Sequence, residues 1–214
     1  MNSENNECIE FWAVRHGETA ENERNVIQGQ GTGTMTKHGM RQMMLAAEKL
    51  YRVPFDAIYS SDLPRALESA QIIQAAGHRK LEIHPLEGLR EWHLGVLEGL
   101  TREECLQRYP EVWQGVCQSS VNVLIPGGES RLELLKRVHD CLEELVACHP
   151  DTGRRILLVT HGGPLRMILR MIVGELRDGN HDGAIDNGSI SRFNYYPATK
   201  SWQLVAWNNT EHLI

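Results

Sequence analysis

Short apolar runs alternate along the chain with longer stretches in which hydrophobic residues recur every three or four positions. Ile9 to Val14, Ala57 to Tyr59, Leu81 to His84 and Arg155 to Thr160 are short and rich in apolar and β-branched residues, which predicts buried strands. Between them, Thr36 to Tyr51 sets Met40, Met43, Met44, Ala47 and Leu50 at helical spacing and predicts a methionine stripe that fills the core. Ser130 to His149 opens on a capping box, Ser130 with Glu133. It gathers Leu132, Leu135, Val138, Leu142, Leu145 and Val146 on one face and leaves its charges to solvent. Thr101 with Glu104 repeats the box ahead of a shorter helix, and Asp62 before Leu63 and Pro64 predicts another helix start. Past Gly188, Ser189 to Tyr196 and Trp202 to Trp207 read as a hairpin around a Pro197 to Lys200 turn. Strands and helices taking turns predict an α/β sheet, with no repeat or linker to divide the chain.

Composition narrows the function classes. At 214 residues, 41% of them hydrophobic and 23% charged, the chain suits one core, so residues 1–214 are expected to form a single domain. The net charge of -6 offers no global basic footprint for nucleic acid or an anionic membrane, so any bound anion has to be held by local charge. Five cysteines without a CxxC pair read as reduced thiols. The polar start MNSENNE does not read as a signal peptide, and no apolar run approaches the ~20 residues of a membrane span. A cytoplasmic location is therefore expected.

The ends of the strands carry the chemistry. In an α/β sheet, ligands bind beyond the carboxyl ends of the parallel strands. Arg15 and His16 follow the first run and are followed at once by Gly17. His161 follows the run RRILLVT and precedes Gly162, Gly163 and a helix begun by Pro164. Arg65 lies one turn into the helix after Ala57 to Tyr59, and Glu91 comes just after Leu81 to His84. Each residue alone is ordinary: a single histidine is usually a hydrogen-bonded structural residue and a single arginine a surface one. Two arginines, two histidines and a carboxylate on one sheet edge call for a common cause, and phosphoryl transfer supplies it. Guanidinium forks suit phosphate oxygens, a charged histidine and glycine-loop amides, Gly162 first, complete a cradle, and a nucleophile and a proton donor remain to be filled. A neutral imidazole, with an ordinary pKa near ~6.5, is available to attack phosphorus.

RHGETAEN, SSDLPRALESA, LREWHLGVLEG, PGGES and VTHGG, in this order and spacing, resemble the histidine phosphatase superfamily, in the branch that contains phosphoglycerate mutase and its phosphatase relatives. The resemblance spans nearly the whole chain. It implies a three-layer α/β/α sandwich with a mostly parallel central sheet and an enzyme that needs no cofactor. His16 is then the nucleophile that becomes phosphorylated. Arg15, Arg65 and His161 clamp the phosphate, Asn22 adds a further donor, and Glu91 protonates the leaving group. Mutases of this branch carry a longer, more basic segment after the acidic motif, whereas Thr101 to Gly128 is compact and lacks paired arginines. Hydrolysis of a small phosphomonoester is therefore expected, with mutase-type transfer or non-catalytic phospholigand binding as alternatives. Retention of both His16 and Glu91 counts against the last.

Other conspicuous residues have plainer readings. Glu18 beside the phosphate would repel substrate, so it is expected to orient an arginine or bind a loop; Glu98 and Glu129 share that reading or line the mouth. Arg90 and Arg166 are surface charges or contacts for a second anionic group. His78, His84, His93, His139 and His149 lack ligand spacing, and no HxH, HExxH or cysteine pair predicts a metal. The expected partner is a small phosphomonoester, neither nucleic acid nor membrane, with a homodimer left open. GQGTGTMT (Gly29 to Thr36) replaces the family's aspartate before Pro-Leu-Thr, and Val96 and Leu97 stand where an aromatic is common, so substrate preference is not transferred.

Overall fold

The computed structural model describes residues 7–118, 123–174 and 185–214, so the polar start and part of the Thr101 to Gly128 segment, residues 119–122, lie outside the described residues. Within the described residues, six strands, β1 (Ile9–Arg15), β2 (Ala57–Ser61), β3 (Ile83–Leu86), β4 (Arg155–Thr160), β5 (Ile190–Tyr196) and β6 (Ser201–Asn209), form one sheet in the order β3-β2-β4-β1-β5-β6. The first four of that order run parallel, and the β5-β6 hairpin joins β1 antiparallel. Among the described residues seven helices accompany them: α1 (Ala20–Glu23), α2 (Lys37–Leu50), α3 (Pro64–Gly77), α4 (Arg102–Arg108), α5 (Pro110–Cys117), α6 (Arg131–Cys148) and α7 (Gly162–Val173). Among the described residues no helix is long and apolar enough to cross a membrane.

The continuous apolar runs are explained by burial on both faces. Phe11, Ala13, Ile156 and Leu158 pack with Leu134, Val138 and Leu142 of α6 and Leu165 and Ile168 of α7. The alternate residues, Val14, Leu157 and Val159, pack with Met43, Ala47 and Leu50 of α2 and Ala66, Ala70 and Ile73 of α3. Helices therefore cover both faces of the sheet in three layers.

Local departures from the sequence reading have physical causes. β3 runs two residues later than expected and includes Pro85, which an edge strand tolerates because one side of its ladder is unpaired. Asp62 does not cap α3: the cap position is Leu63, and Asp62 pairs with Arg90 instead. α7 starts at Gly162, so Pro164 falls inside the first turn, where its missing N–H costs nothing. The methionine stripe fills the core only in part. Gly39, Met43, Ala46, Ala47 and Leu50 are buried, while Met40 and Met44 flank that face and are 37% and 56% exposed. Leu132 lies about a third of a turn from the buried line of α6 and is 52% exposed.

Candidate active site

β1 and β4 are neighbours with Arg15 opposite Thr160, so His16 and His161 leave the sheet side by side. His16 N donates to the Thr160 carbonyl at 3.0 Å, and the two imidazole centroids are 5.0 Å apart. β2, on the far side of β4, leads into α3 with Arg65 in the first turn. β3 leads through a 3-10 turn, Glu87–Leu89, to Glu91, and Thr160 Oγ1 ties that turn down by donating to Leu89 O at 2.8 Å. Four parallel strands thus deliver the set to one edge.

His16 is 1% exposed, and its Nδ1 lies 2.8 Å from the Gly17 carbonyl. A carbonyl only accepts, so Nδ1 carries the proton and Nε2 keeps a lone pair, toward which Arg65 Nε donates at 3.3 Å. Burial, reinforced by the charges of Arg65 and Arg15, holds His16 well below the usual imidazole range. The glycine of the RHG motif has a packing cause: a Cβ on Gly17 would stand 2.5 Å from the Gly39 carbonyl at the start of α2. Arg65, also 1% exposed, is gripped from behind, its two terminal nitrogens donating to Gly31 O at 2.9 Å and Gly29 O at 2.7 Å. Glu98 braces that loop by accepting from Gln30 N at 3.0 Å.

His161 is held neutral as well, lowered by burial first and then by Arg65 and His16, so the expected charged histidine in the cradle is not what the site holds. Its Nε2 lies 2.8 Å from Ser61 Oγ, while Nδ1 is buried without a partner. Arg15 donates to Ile185 O at 2.5 Å, its Nε is likewise buried and unpartnered, and burial lowers its pKa to about 10. Glu91 Oε1 accepts from Trp92 N and Gly163 N, both at 2.8 Å. A Cβ on Gly163 would come within 2.1 Å of that oxygen, which accounts for the second glycine of THGG. Glu91 Oε2, Arg15 Nε and Arg166 lie within 3.9 Å of where a Cβ on Gly162 would stand. Asn22 Oδ1 accepts from Thr19 N, Thr19 Oγ1 and Asn187 Nδ2, an arrangement that turns its own amide N–H groups elsewhere.

A cavity of about 200 Å³ has Arg15, His16, Asn22, Arg65, Glu91 and Arg102 in its wall. His161 and Gly162 adjoin this wall, the first through its ring beside His16 and the second through Glu91 Oε2 and Arg15 Nε. A larger groove of about 700 Å³ runs along α6 past Cys141, whose thiol burial pushes up to about 11, and it contains neither histidine. Glu18 binds its loop through Thr36 Oγ1 at 2.9 Å, Arg90 is paired with Asp62 and Glu87, and Glu129 is paired with Arg137. Sequence reasoning missed Ser61, Asn187 and Arg102. A buried serine ending a strand was the signal for Ser61; Arg102 was hidden inside the capping box of α4, and Asn187 had no signal.

Two buried neutral histidines have a measurable consequence. Unfolded, each takes a proton near pH ~6.5, whereas the folded pKa values are lower. Below pH ~6.5 the unfolded chain therefore binds more protons, and each histidine removes up to about 1.4 kcal/mol of stability per pH unit until its folded pKa is reached. Urea unfolding at stepped pH should show stability falling from pH 7 to 5, more shallowly in His161→Gln; identical slopes in the two proteins would contradict a buried neutral His161.

The sequence model of the histidine phosphatase superfamily (branch 1) matches residues 11–210. Phosphoglycerate mutase-like protein 4 of Arabidopsis thaliana is 36% identical over 100% of this chain and 90% of its own length. The metal-independent phosphoserine phosphatase of the same plant is 33% identical over 97% and 84%. The solved structure of Bacillus stearothermophilus YhfR superposes with a TM-score of 0.88 at 26% identity, covering 96% of this chain and all of that one. With the match running from β1 to the last strand, the chain is a member of the histidine phosphatase superfamily, branch 1.

Proposed function

We propose that the protein is a single-domain phosphomonoester hydrolase that works through a phosphohistidine on His16, without a metal, on a small phosphorylated metabolite. The observation that carries the reading is the state of His16: neutral, with Nδ1–H anchored on Gly17 O and the Nε2 lone pair beside Arg65 in the wall of the cavity. Nε2 attacks phosphorus, the P–O ester bond breaks, and the departing oxygen takes the proton of Glu91, which enters this step as the acid. Because two backbone N–H groups occupy Oε1, that proton sits on Oε2. Water then attacks the phosphohistidine, gives its proton to Glu91 and breaks the P–N bond, releasing inorganic phosphate. Arg15 and Arg65 supply positive charge by position alone, and their orphaned or outward N–H groups meet the phosphate oxygens with Asn22 and the Gly162 amide. With Ser61 donating to its Nε2, His161 carries its proton on Nδ1 and offers it to the same phosphoryl group.

Support for hydrolysis over mutase transfer comes from the small cavity and from the phosphatase relative, while the mutase-like relative keeps transfer as the second reading. Arg102, which also lines the cavity, offers a further cation to an acidic leaving group. Five unpaired cysteines support a reducing, cytoplasmic setting. A screen of phosphoserine, phosphoglycerates, sugar phosphates and nucleotides in excess chelator is the test. Phosphate release should persist undiminished; chelation that abolishes it, with recovery on one divalent metal, would overturn the metal-free reading, and isomer formation without free phosphate would favour the mutase.

A further inference from the structure

We infer that Arg137, two turns into α6, is a positioning residue that aims Glu91, with Glu129 as its fixed counter-ion. This rests on Glu91 being the proton donor of the reading above. The starting point is the PGGES segment, one of the five motifs, none of whose residues lines the cavity. Glu129 and Gly128 attach it to the loop that carries Glu91. Glu129 N donates to His93 O at 2.9 Å, His93 N donates to Glu129 Oε1 at 3.0 Å, and Trp92 Nε1 donates to Glu129 O at 2.8 Å. Gly128 is pressed on the same loop, since a Cβ there would stand 2.4 Å from the His93 carbonyl.

Arg137 completes the attachment from the helix side. One terminal nitrogen donates to Gly88 O at 3.0 Å and Arg90 O at 2.9 Å, with Glu87 O at 3.4 Å, and the other donates to Glu91 O at 3.2 Å and pairs with Glu129 Oε1. Its Nε donates to Glu129 Oε2 at 3.1 Å, so the bidentate carboxylate fixes the plane of the guanidinium. Four carbonyls between Glu87 and Glu91 therefore point at a single planar cation. That fixes the backbone path into Glu91, while Gly163 N and Trp92 N fix its carboxylate. An ammonium has no such fork and reaches fewer of these carbonyls at once. Arg137 does not line the cavity; its charge also reaches His161, but a lysine keeps that charge, so what Arg137→Lys removes is the hold on the backbone into Glu91.

The test compares pre-steady-state phosphorylation by an alkyl phosphomonoester and by p-nitrophenyl phosphate in Arg137→Lys, Glu91→Gln and the double variant. Arg137→Lys should slow the alkyl substrate by about 10- to 100-fold, the range for a small misplacement of a reacting group, and the nitrophenyl substrate much less. Inhibition by inorganic phosphate should be unchanged, and Glu91→Gln should leave nothing further for the lysine substitution to remove. Equal losses on both leaving groups, or full additivity in the double variant, would overturn the inference. Should Arg137→Lys fail to fold, Glu129→Gln, which keeps the bond from His93 N and loses the ion pair, is held to the same pattern. A Glu91→Gln protein indifferent to the leaving group would remove Glu91 as the acid, and this inference with it. Leaving-group dependence in Glu91→Gln alone would overturn the inference and spare the acid.

Discussion

His16→Ala should abolish turnover, by at least about 10⁴-fold, given that removing the nucleophile of a serine protease costs about 10⁶. The same substitution should leave no acid-labile label on the chain after rapid quench with radiolabelled substrate. The competing nucleophile is His161, whose ring lies 5.0 Å away. Their partners separate them: His16 Nε2 stands beside Arg65 Nε, whereas His161 Nε2 is taken up by Ser61 Oγ. Neutrality does not, because burial and the neighbouring guanidinium groups depress both. The labelling experiment should therefore be run on His161→Ala too, which is expected to form the phosphoenzyme slowly. Label retained in His16→Ala and lost in His161→Ala would exchange the two roles.

Arg65→Lys should lower kcat/KM by about 10²- to 10³-fold, nearly as much as Arg65→Ala, the loss typical of removing one preorganised donor from a reacting oxyanion. The reason lies in how the guanidinium is spent. Its terminal nitrogens are anchored on Gly29 O and Gly31 O while Nε faces His16 Nε2, so one rigid plane fixes the guanidinium against His16, and in the proposed reaction that plane would set the distance between phosphate and nucleophile. A lysine ammonium on a flexible stem reaches one of these positions at a time and strands at least one buried carbonyl, at about 1–3 kcal/mol. Part of the loss should therefore appear as lowered stability to urea and the rest as lowered kcat. Near-normal kinetics in the lysine variant would take Arg65 out of the clamp.

The residues gathered at the edge of the sheet could be read from the chain because strand ends have a signature: an apolar run stops, a polar residue stands where a side chain can leave the sheet, and a glycine lets another element approach. Gly17 and Gly163 show the cause, the first yielding to the Gly39 carbonyl and the second to Glu91. What could not be read was anything that ends on a backbone carbonyl. Arg137 looks like one more charge on the solvated face of α6, and its partners, the carbonyls of Glu87, Gly88, Arg90 and Glu91, carry no residue signature. Asp62 misled for the converse reason: a residue type favoured at helix starts was claimed by Arg90, brought from 28 positions away. Met40 and Met44 misled because helical spacing alone does not say where the centre of a buried stripe falls.

The placement of His16 and His161 on adjoining parallel strands makes the sheet itself a ruler. Neighbouring strands run about 4.8 Å apart, and the two imidazoles inherit that interval, at 5.0 Å, from the ladder between β1 and β4 rather than from the side chains around them. Backbone pitch does not drift with loop composition. The cavity-lining segments around Gly29, Leu94 and Arg102 can therefore be rebuilt, and the cavity reshaped, without recalibrating the interval between the two histidines.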